Sequence, residues 1–571
     1  MARWKWIVVR SVVFPLVVLG CAAPPSPQAG DAGAPAPHQT AAFKRVSVAI
    51  RSAPSAMSQR HSGAAAVAGL DALEELVHTG LTHVDPPGAR HAKLVEAVPT
   101  LENGLWKLLP EGRMETTWQL RQNARWHDGV PVTSDDLLFT TTVEQDREVG
   151  IPRNAAYDLI ERIEAPDART IVVTWRQLYV EADALFSHDV ALPMPRHLLE
   201  AAFTENKSTF FAAPFWNVEY VGAGPFKVRE WVADSHVVLQ ANDAYVLGRL
   251  KIDEIEVRFI FDPQAMVANL LAGTVEVTIG RGPSFEQALQ VLDQWRDGGV
   301  VWRAGGWVVI TPQFLNPTPA VVGDVRFRRA LIHAIDRQEM AATLMAGQSS
   351  VAHSFVGPDE AAHQAVQGSI AKYDYDPRRA VSTIEELGFV RGADGLFVDA
   401  AGQRLSVEIM TTVQNDTHLK AMPAAADYWK AAGVTVEQVP IPLQRIQDRE
   451  YRAAFSSFIL GLVSISLSPA DVNRYHSANT PLPENRFIGG NSARYRNPEL
   501  DSYLDRYQTT IPKDQSLQVL SQIVRHQSEQ VTALGLFYYV NPTMVANRVL
   551  NVGGRGVKAQ ETWDAHNWDV R

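Results

Sequence analysis

Ile255-Glu256-Val257-Arg258-Phe259-Ile260-Phe261, then Asp262-Pro263, Gly273 and finally Val275 and Val277, is the stretch from which the fold is read. Ile255, Val257, Phe259 and Phe261 alternate with Glu256 and Arg258, the two-residue period of a half-buried strand. Asp262 is a helix cap, Pro263 suits the first helical position, and Gly273 sits just past the end. Val275 and Val277 begin the next strand. The order strand, helix, strand predicts an α/β domain.

The same punctuation extends in both directions. Upstream, Val46, Val48 and Ile50 alternate as a strand. Residues 70–81 place Leu73, Leu76, Val77 and Leu81 on one helical face, with Gly80 near the end. A strand over 116–120 runs into the turn Trp126-His127-Asp128-Gly129, and Thr133 or Ser134 caps a helix with Asp135 and Asp136 in its first turn. Strands are expected at 169–175 and 236–241. Downstream, Asp324 caps a helix with Phe327, Leu331, Ala334 and Ile335 inward. Asp376-Pro377 opens another that Gly388 ends. Val407 and Ile409 read as a strand, and the following helix passes Trp429 to Gly433. Asn497-Pro498 starts a last long helical region. A chain of 571 residues is expected to form two or more domains, and with no repeat or second linker they should make one assembly that the chain crosses between.

Composition excludes some functions. The net charge is -10 with no basic block, which argues against nucleic-acid binding. Cys21 is the one cysteine, so no internal disulfide or cysteine zinc site can form. Residues 1–21 read as an export signal. Arg3, Lys5 and Arg10 precede an apolar run too short to span a bilayer, which ends in Val18-Leu19-Gly20-Cys21. This ending resembles a bacterial lipobox and implies lipidation of Cys21. Residues 22–42, with Pro24, Pro25, Pro27, Pro35 and Pro37 among small residues, read as a disordered tether.

Five motifs, in order, resemble the peptide/nickel family of ABC-transporter solute-binding proteins, family 5. They are Trp118-Gln119-Leu120-Arg121 with Trp126-His127-Asp128-Gly129-Val130-Pro131; Gly222-Ala223-Gly224-Pro225-Phe226-Lys227-Val228; Asp324-Val325-Arg326-Phe327-Arg328-Arg329-Ala330-Leu331 with Ala334-Ile335-Asp336-Arg337; Tyr375-Asp376-Pro377; and Arg496-Asn497-Pro498-Glu499-Leu500-Asp501. Each also has a plainer reading. Gly222 and Gly224 permit unusual backbone angles, the arginines suit salt bridges on an outer helix face, and His127-Asp128 suits a surface turn.

The resemblance implies a periplasmic-binding-protein type II fold, a two-lobed clamp with an extra domain inserted in the first lobe. Lobe one would take 43–85, 220–316 and 541–571, the insert 86–219, and lobe two 317–540. It further implies a monomer, tethered to the membrane by lipidated Cys21, that passes a peptide or peptide-like ligand to permease subunits; no cofactor is implied. Relatives that bind free peptides use a lobe-two aspartate for the α-ammonium, in a segment that corresponds here to residues 461–469. There Leu462 replaces the aromatic and Ile465 the acid, with Asp471 beyond the proline. A blocked, cyclic or non-peptide ligand therefore fits as well as a free peptide. Candidate ligand contacts are Ser52, Ser55, Trp216, Trp307, Ser464 and Ser466. An enzyme is disfavoured, because no GxSxG, HExxH or P-loop is present. A ligand-presenting sensor remains the alternative. Metal or haem binding ranks below both, since His91, His188, His353 and His363 lack ligand-like spacing.

Overall fold

Strands β1 (Arg45–Ile50), β2 (Phe226–Val232), β3 (His236–Ala241), β4 (Glu254–Phe259), β5 (Val277–Thr278), β6 (Gly298–Pro312), β7 (Ser406–Thr412), β8 (Thr435–Ile441), β9 (Phe458–Val463) and β10 (Leu534–Ala546) form one sheet. Their spatial order is β8-β7-β9-β6-β10-β5-β1-β4-β3-β2. The structure is a computed structural model that describes residues 43–60, 67–149, 154–280, 282–413, 415–553 and 560–571. The expected export signal (1–21), lipidation at Cys21 and tether (22–42) fall outside the described residues.

The stretch around Asp262 folds as its punctuation dictates. Strand β4 lies parallel to β1, with Val46 opposite Ile255, and β1 is parallel to β5 on its other side. Strands β4 and β5 flank β1 and run parallel to it, so the chain needs a crossover from one to the other. It is the helix Pro263–Leu271, where the Asp262 carboxylate accepts the Ala265 N–H at 2.7 Å. Val46, Val48 and Ile50 enter one core while Ala49 enters another on the opposite face, as a two-residue period requires.

Two long strands, β6 and β10, pair antiparallel from Gly298 opposite Ala546 to Ile310 opposite Leu534. Strand β9 joins β6 only along Trp307–Pro312. The ladder shifts register between Ala304 and Gly306. Gly306 has φ 153°, and a Cβ there would lie 2.7 Å from the Val463 carbonyl; a Cβ on Gly305 would lie 2.2 Å from the Asn541 amide. At 306 only glycine fits, whereas a side chain at 305 would have to displace the Asn541 amide. Either side of it the sheet has separate cores. Leu73, Trp118, Ile255 and Met266 belong to the first half; Phe327, Trp429, Ile465 and Ile523 belong to the second.

A small antiparallel sheet of Trp106–Leu108, Met114–Gln119, Thr170–Trp175 and Ile160–Asp167 shares its core with the first half. Its helix Ser134–Gln145 opens on a capping box between Thr133 and Asp136. Among the described residues no helix is long and apolar enough to cross a membrane.

Four readings are corrected. The helix begun at Leu70 ends at Val77, because His78 turns extended. Gly80 is instead a packing glycine whose Cβ would lie 2.3 Å from the Phe186 carbonyl. Gly222 and Gly224 have no positive φ; they are needed for space, since their Cβ atoms would lie 2.0 Å from the Val77 carbonyl and 2.4 Å from the His78 nitrogen. His127 is buried against them, its ring facing the Gly224 carbonyl at 3.1 Å and accepting the Gly222 N–H at 3.2 Å. Arg328 is not on an outer face. It is 2% exposed and donates to the carbonyls of Val322, Gln530 and Val531, closing the end of helix Lys513–Gln530.

Candidate ligand-binding cleft

A cleft of about 1070 Å³ opens where the two halves of the sheet face each other. One wall comes from the first half and its inserted sheet: Val84, Arg90, Asn154, residues 177–181 and Asp189. The other comes from the second half: Ser464, Ser466, Ser468, Asp471, Asn473 and Gln508. The volume suits a ligand larger than a single amino acid.

The second wall follows from alternation. Beyond β9, Ile465 and Leu467 turn into the core while Ser464, Ser466 and Ser468 line the cleft. Ser464 Oγ accepts the Ser466 N–H at 3.2 Å, and Ser466 Oγ accepts the Ser468 N–H at 3.3 Å. Ser468 then caps the short helix Pro469–Val472 and donates to Asp471 at 3.0 Å. Arg474 forms a salt bridge with the same carboxylate. Partial burial pushes Asp471 up, but the hydroxyls of Ser466 and Ser468 and the Arg474 charge outweigh it and hold the carboxyl below its usual range.

On the opposite wall Arg90 is held by two acids, Asp189 at 2.9 Å and Asp183 at 3.4 Å, and its Nη1 donates to Thr82 at 3.2 Å. Arg90 and Asp471 are therefore already paired, while Glu181 and Asp505 add two further carboxylates to the walls, Asp505 beside His476 at 3.4 Å. The neutral donors and acceptors around them are hydroxyls and amides.

A recess of about 420 Å³ shares Val84, Asp189 and Val190 with the cleft. Phe215, Trp216 and Tyr220 form its aromatic side, and Asp71, Glu74 and His78 its polar side. Burial pushes the Glu74 carboxyl up to about 7, despite a hydrogen bond from the Gln59 N–H at 3.1 Å.

The sequence-predicted residues divide as follows. Ser464 and Ser466 lie in the cleft, and Trp216 lines the recess with its indole N–H spent on the Phe210 carbonyl at 2.8 Å. Ser52 donates to the Ala68 carbonyl at 2.8 Å in a loop, and Ser55 is exposed. Trp307 is buried in the second-half core beside Ile465. These three line none of the described cavities. Ile465, read as standing where relatives carry an acid, points into that core. Sequence reasoning missed the Arg90 cluster, whose acids lie about a hundred residues away and leave no local signal. It also passed over Ser468-Pro469-Ala470-Asp471, a helix-start pattern that was legible.

Residues 98–481 match the profile of the bacterial extracellular solute-binding proteins, family 5. A protein of Brucella ovis named for peptide binding in an ABC transporter is 27% identical over 267 residues. That match covers 47% of this chain and 48% of the relative, about half the length of each. The oligopeptide-binding protein AppA of Bacillus subtilis is 22% identical over 477 residues, 82% of this chain and 81% of its own. Its crystal structure with a nonapeptide superposes with a TM-score of 0.63, 18% identity and coverage of 93% and 99%. NikZ of Campylobacter jejuni, crystallised with Ni(L-His), gives 0.67 at 19% identity, covering 92% and 99%. These likenesses establish the two-lobed fold.

Proposed function

Since this chain belongs to the bacterial extracellular solute-binding proteins of family 5, we propose that it is the extracytoplasmic binding component of an ABC importer. It takes a peptide or peptide-like ligand between two lobes and delivers it to membrane permease subunits. The carrying observation is the cleft, whose walls belong to separate cores joined by strands that break at Gly305-Gly306. Ligand that touches both walls is bound best when they are close, so it shifts the population toward the closed state.

On this reading lobe one takes 43–85, 220–316 and 541–571, the insert 86–219, and lobe two 317–540. Residues 1–21 are a lipoprotein signal, Cys21 is the anchored residue, and the mature monomer works outside the cytoplasmic membrane without catalysing a reaction.

The walls also support a reading of the ligand. Asp471 is engaged by Arg474 and Ser468, and Arg90 by Asp183 and Asp189. A free α-ammonium would have to compete with Arg474 for Asp471 or turn to Glu181 or Asp505 on the walls. A blocked or cyclic peptide-like ligand needs only the hydroxyls and amides already presented. The test is mass spectrometry of ligand released from purified protein, followed by thermal shift with a peptide panel. Free dipeptides should give little shift and amino-blocked peptides a clear one. Arg474→Ala should free Asp471 and strengthen binding of free-amino peptides by about tenfold. A strong general response of the unaltered protein to free dipeptides would defeat this ligand reading.

A further inference from the structure

Lys372, His353 and His363 come together in the second half, at a recess of about 480 Å³ outside the cleft. Each of the other described cavities is lined by at least one carboxylate, such as Glu74 in the recess beside Trp216 or Glu181 in the cleft; this one is lined by none. In a chain of net charge -10 that is a local reversal.

The positive charge there is offset only in part, by Asp374 acting on Arg337 and His353. Lys372 makes no salt bridge among the described residues. Behind it lies Arg337, 4% exposed, whose guanidinium donates to the Gly535 carbonyl at 2.9 Å and to the Tyr373 carbonyl. Carbonyl dipoles satisfy its N–H groups without cancelling its charge. Asp374 is the acid nearest by charge, and it does not line the recess. Two hydrogen-bonding groups stand ready: the Ser350 hydroxyl and the His353 ring make no hydrogen bond among the described residues. A hydroxyl, an imidazole N–H and an ammonium around one space match the oxygens of a small anion.

We propose that this recess binds a small oxyanion, a carboxylate or a phosphate, at a site separate from the cleft, held by Lys372, His353 and Ser350 in the field of Arg337. Between the lining residues Pro358 and His363 lies Ala361, whose N–H donates to the Pro87 carbonyl of the first half at 3.2 Å. An anion in the recess therefore braces a segment that touches the opposite lobe.

Isothermal titration of the full chain with inorganic phosphate and, separately, with citrate tests this at fixed neutral pH. Saturable one-site binding of either is expected; which of them binds identifies the source of the oxyanion. Lys372→Gln should weaken it at least tenfold and Ser350→Ala by several-fold, whereas Asp471→Asn in the cleft should leave it unchanged. Lys372 is exposed, so its loss does not threaten folding. Absence of saturable binding by both anions up to about 20 mM overturns the proposal. So does binding that survives Lys372→Gln, or binding that Asp471→Asn removes.

Discussion

The two halves of the sheet bury charge in opposite ways. The first half buries ionisable side chains beside one another. Glu74 is 5% exposed; Glu75 accepts from Thr562 and faces Lys93; Lys93 reaches the Trp563 carbonyl at 3.3 Å. Burial drives both carboxyls up and the ammonium down. The second half buries two guanidinium groups, Arg328 and Arg337, against backbone carbonyls. Burial lowers each to about 10, which leaves both charged at neutral pH. The first half should thus respond to pH near neutrality, and the second should not. The difference also shows two solutions to one problem, since a buried charge needs either an opposite charge or enough dipoles.

Four substitutions would break or sharpen this contrast. The largest effect belongs to the tight packing of the Gly222–Gly224 turn against the end of the helix Leu70–Val77, a junction inside the first half. Gly224→Val should destabilise by more than about 4 kcal/mol, since backbone of Val77 and His78 already occupies the space. Wild-type-like denaturant unfolding would show that the junction can yield. Next, Arg328→Met should cost about 3 kcal/mol, because three carbonyls lose their donor, and the loss should be the same at pH values near 5 and 8.

Glu74→Gln should do the reverse and depend on pH. The folded carboxyl titrates at about 7, above its ordinary 4.5. Below 4.5 both folded and unfolded chains hold the proton, and no penalty exists. Between 4.5 and 7 the unfolded chain releases it first, so stability falls as pH rises, then levels off above 7. Glutamine mimics the protonated form. The variant should match the wild type near pH 4.5 and exceed it by about 3 kcal/mol near pH 8 in urea titrations. A constant difference across that range would contradict the assignment. Smallest of all is Glu286→Gln. It removes the exposed ion pair to Lys420 at 2.7 Å, which joins the two lobes as proposed, and should change stability by under about 0.5 kcal/mol.

Local grammar made much of the fold legible. Asp262, Asp324, Asp376 and Asn497 cap helices where their spacing placed them. Alternation set β1 and β4, and the ordered motifs pointed to the clamp. Long-range pairing was illegible. Arg328 reads as a surface arginine until the end of a helix some 200 residues later lies against it. Gly222 and His127 belong to different motifs, yet each fixes the other. In the cleft, the parity of Ser464, Ile465 and Ser466 was available from alternation alone, because the strand before them continues its period. The Arg90 pairs were not, since nothing local marks an arginine that two distant acids hold.

The central claim is that a bound guest draws the lobes together about the glycine break in β6. Small-angle X-ray scattering of the mature protein, emptied of ligand and then reloaded with what mass spectrometry identifies, tests it most directly. The radius of gyration should fall on loading, and Gly306→Val should suppress that fall. Superimposable curves with and without ligand would contradict it.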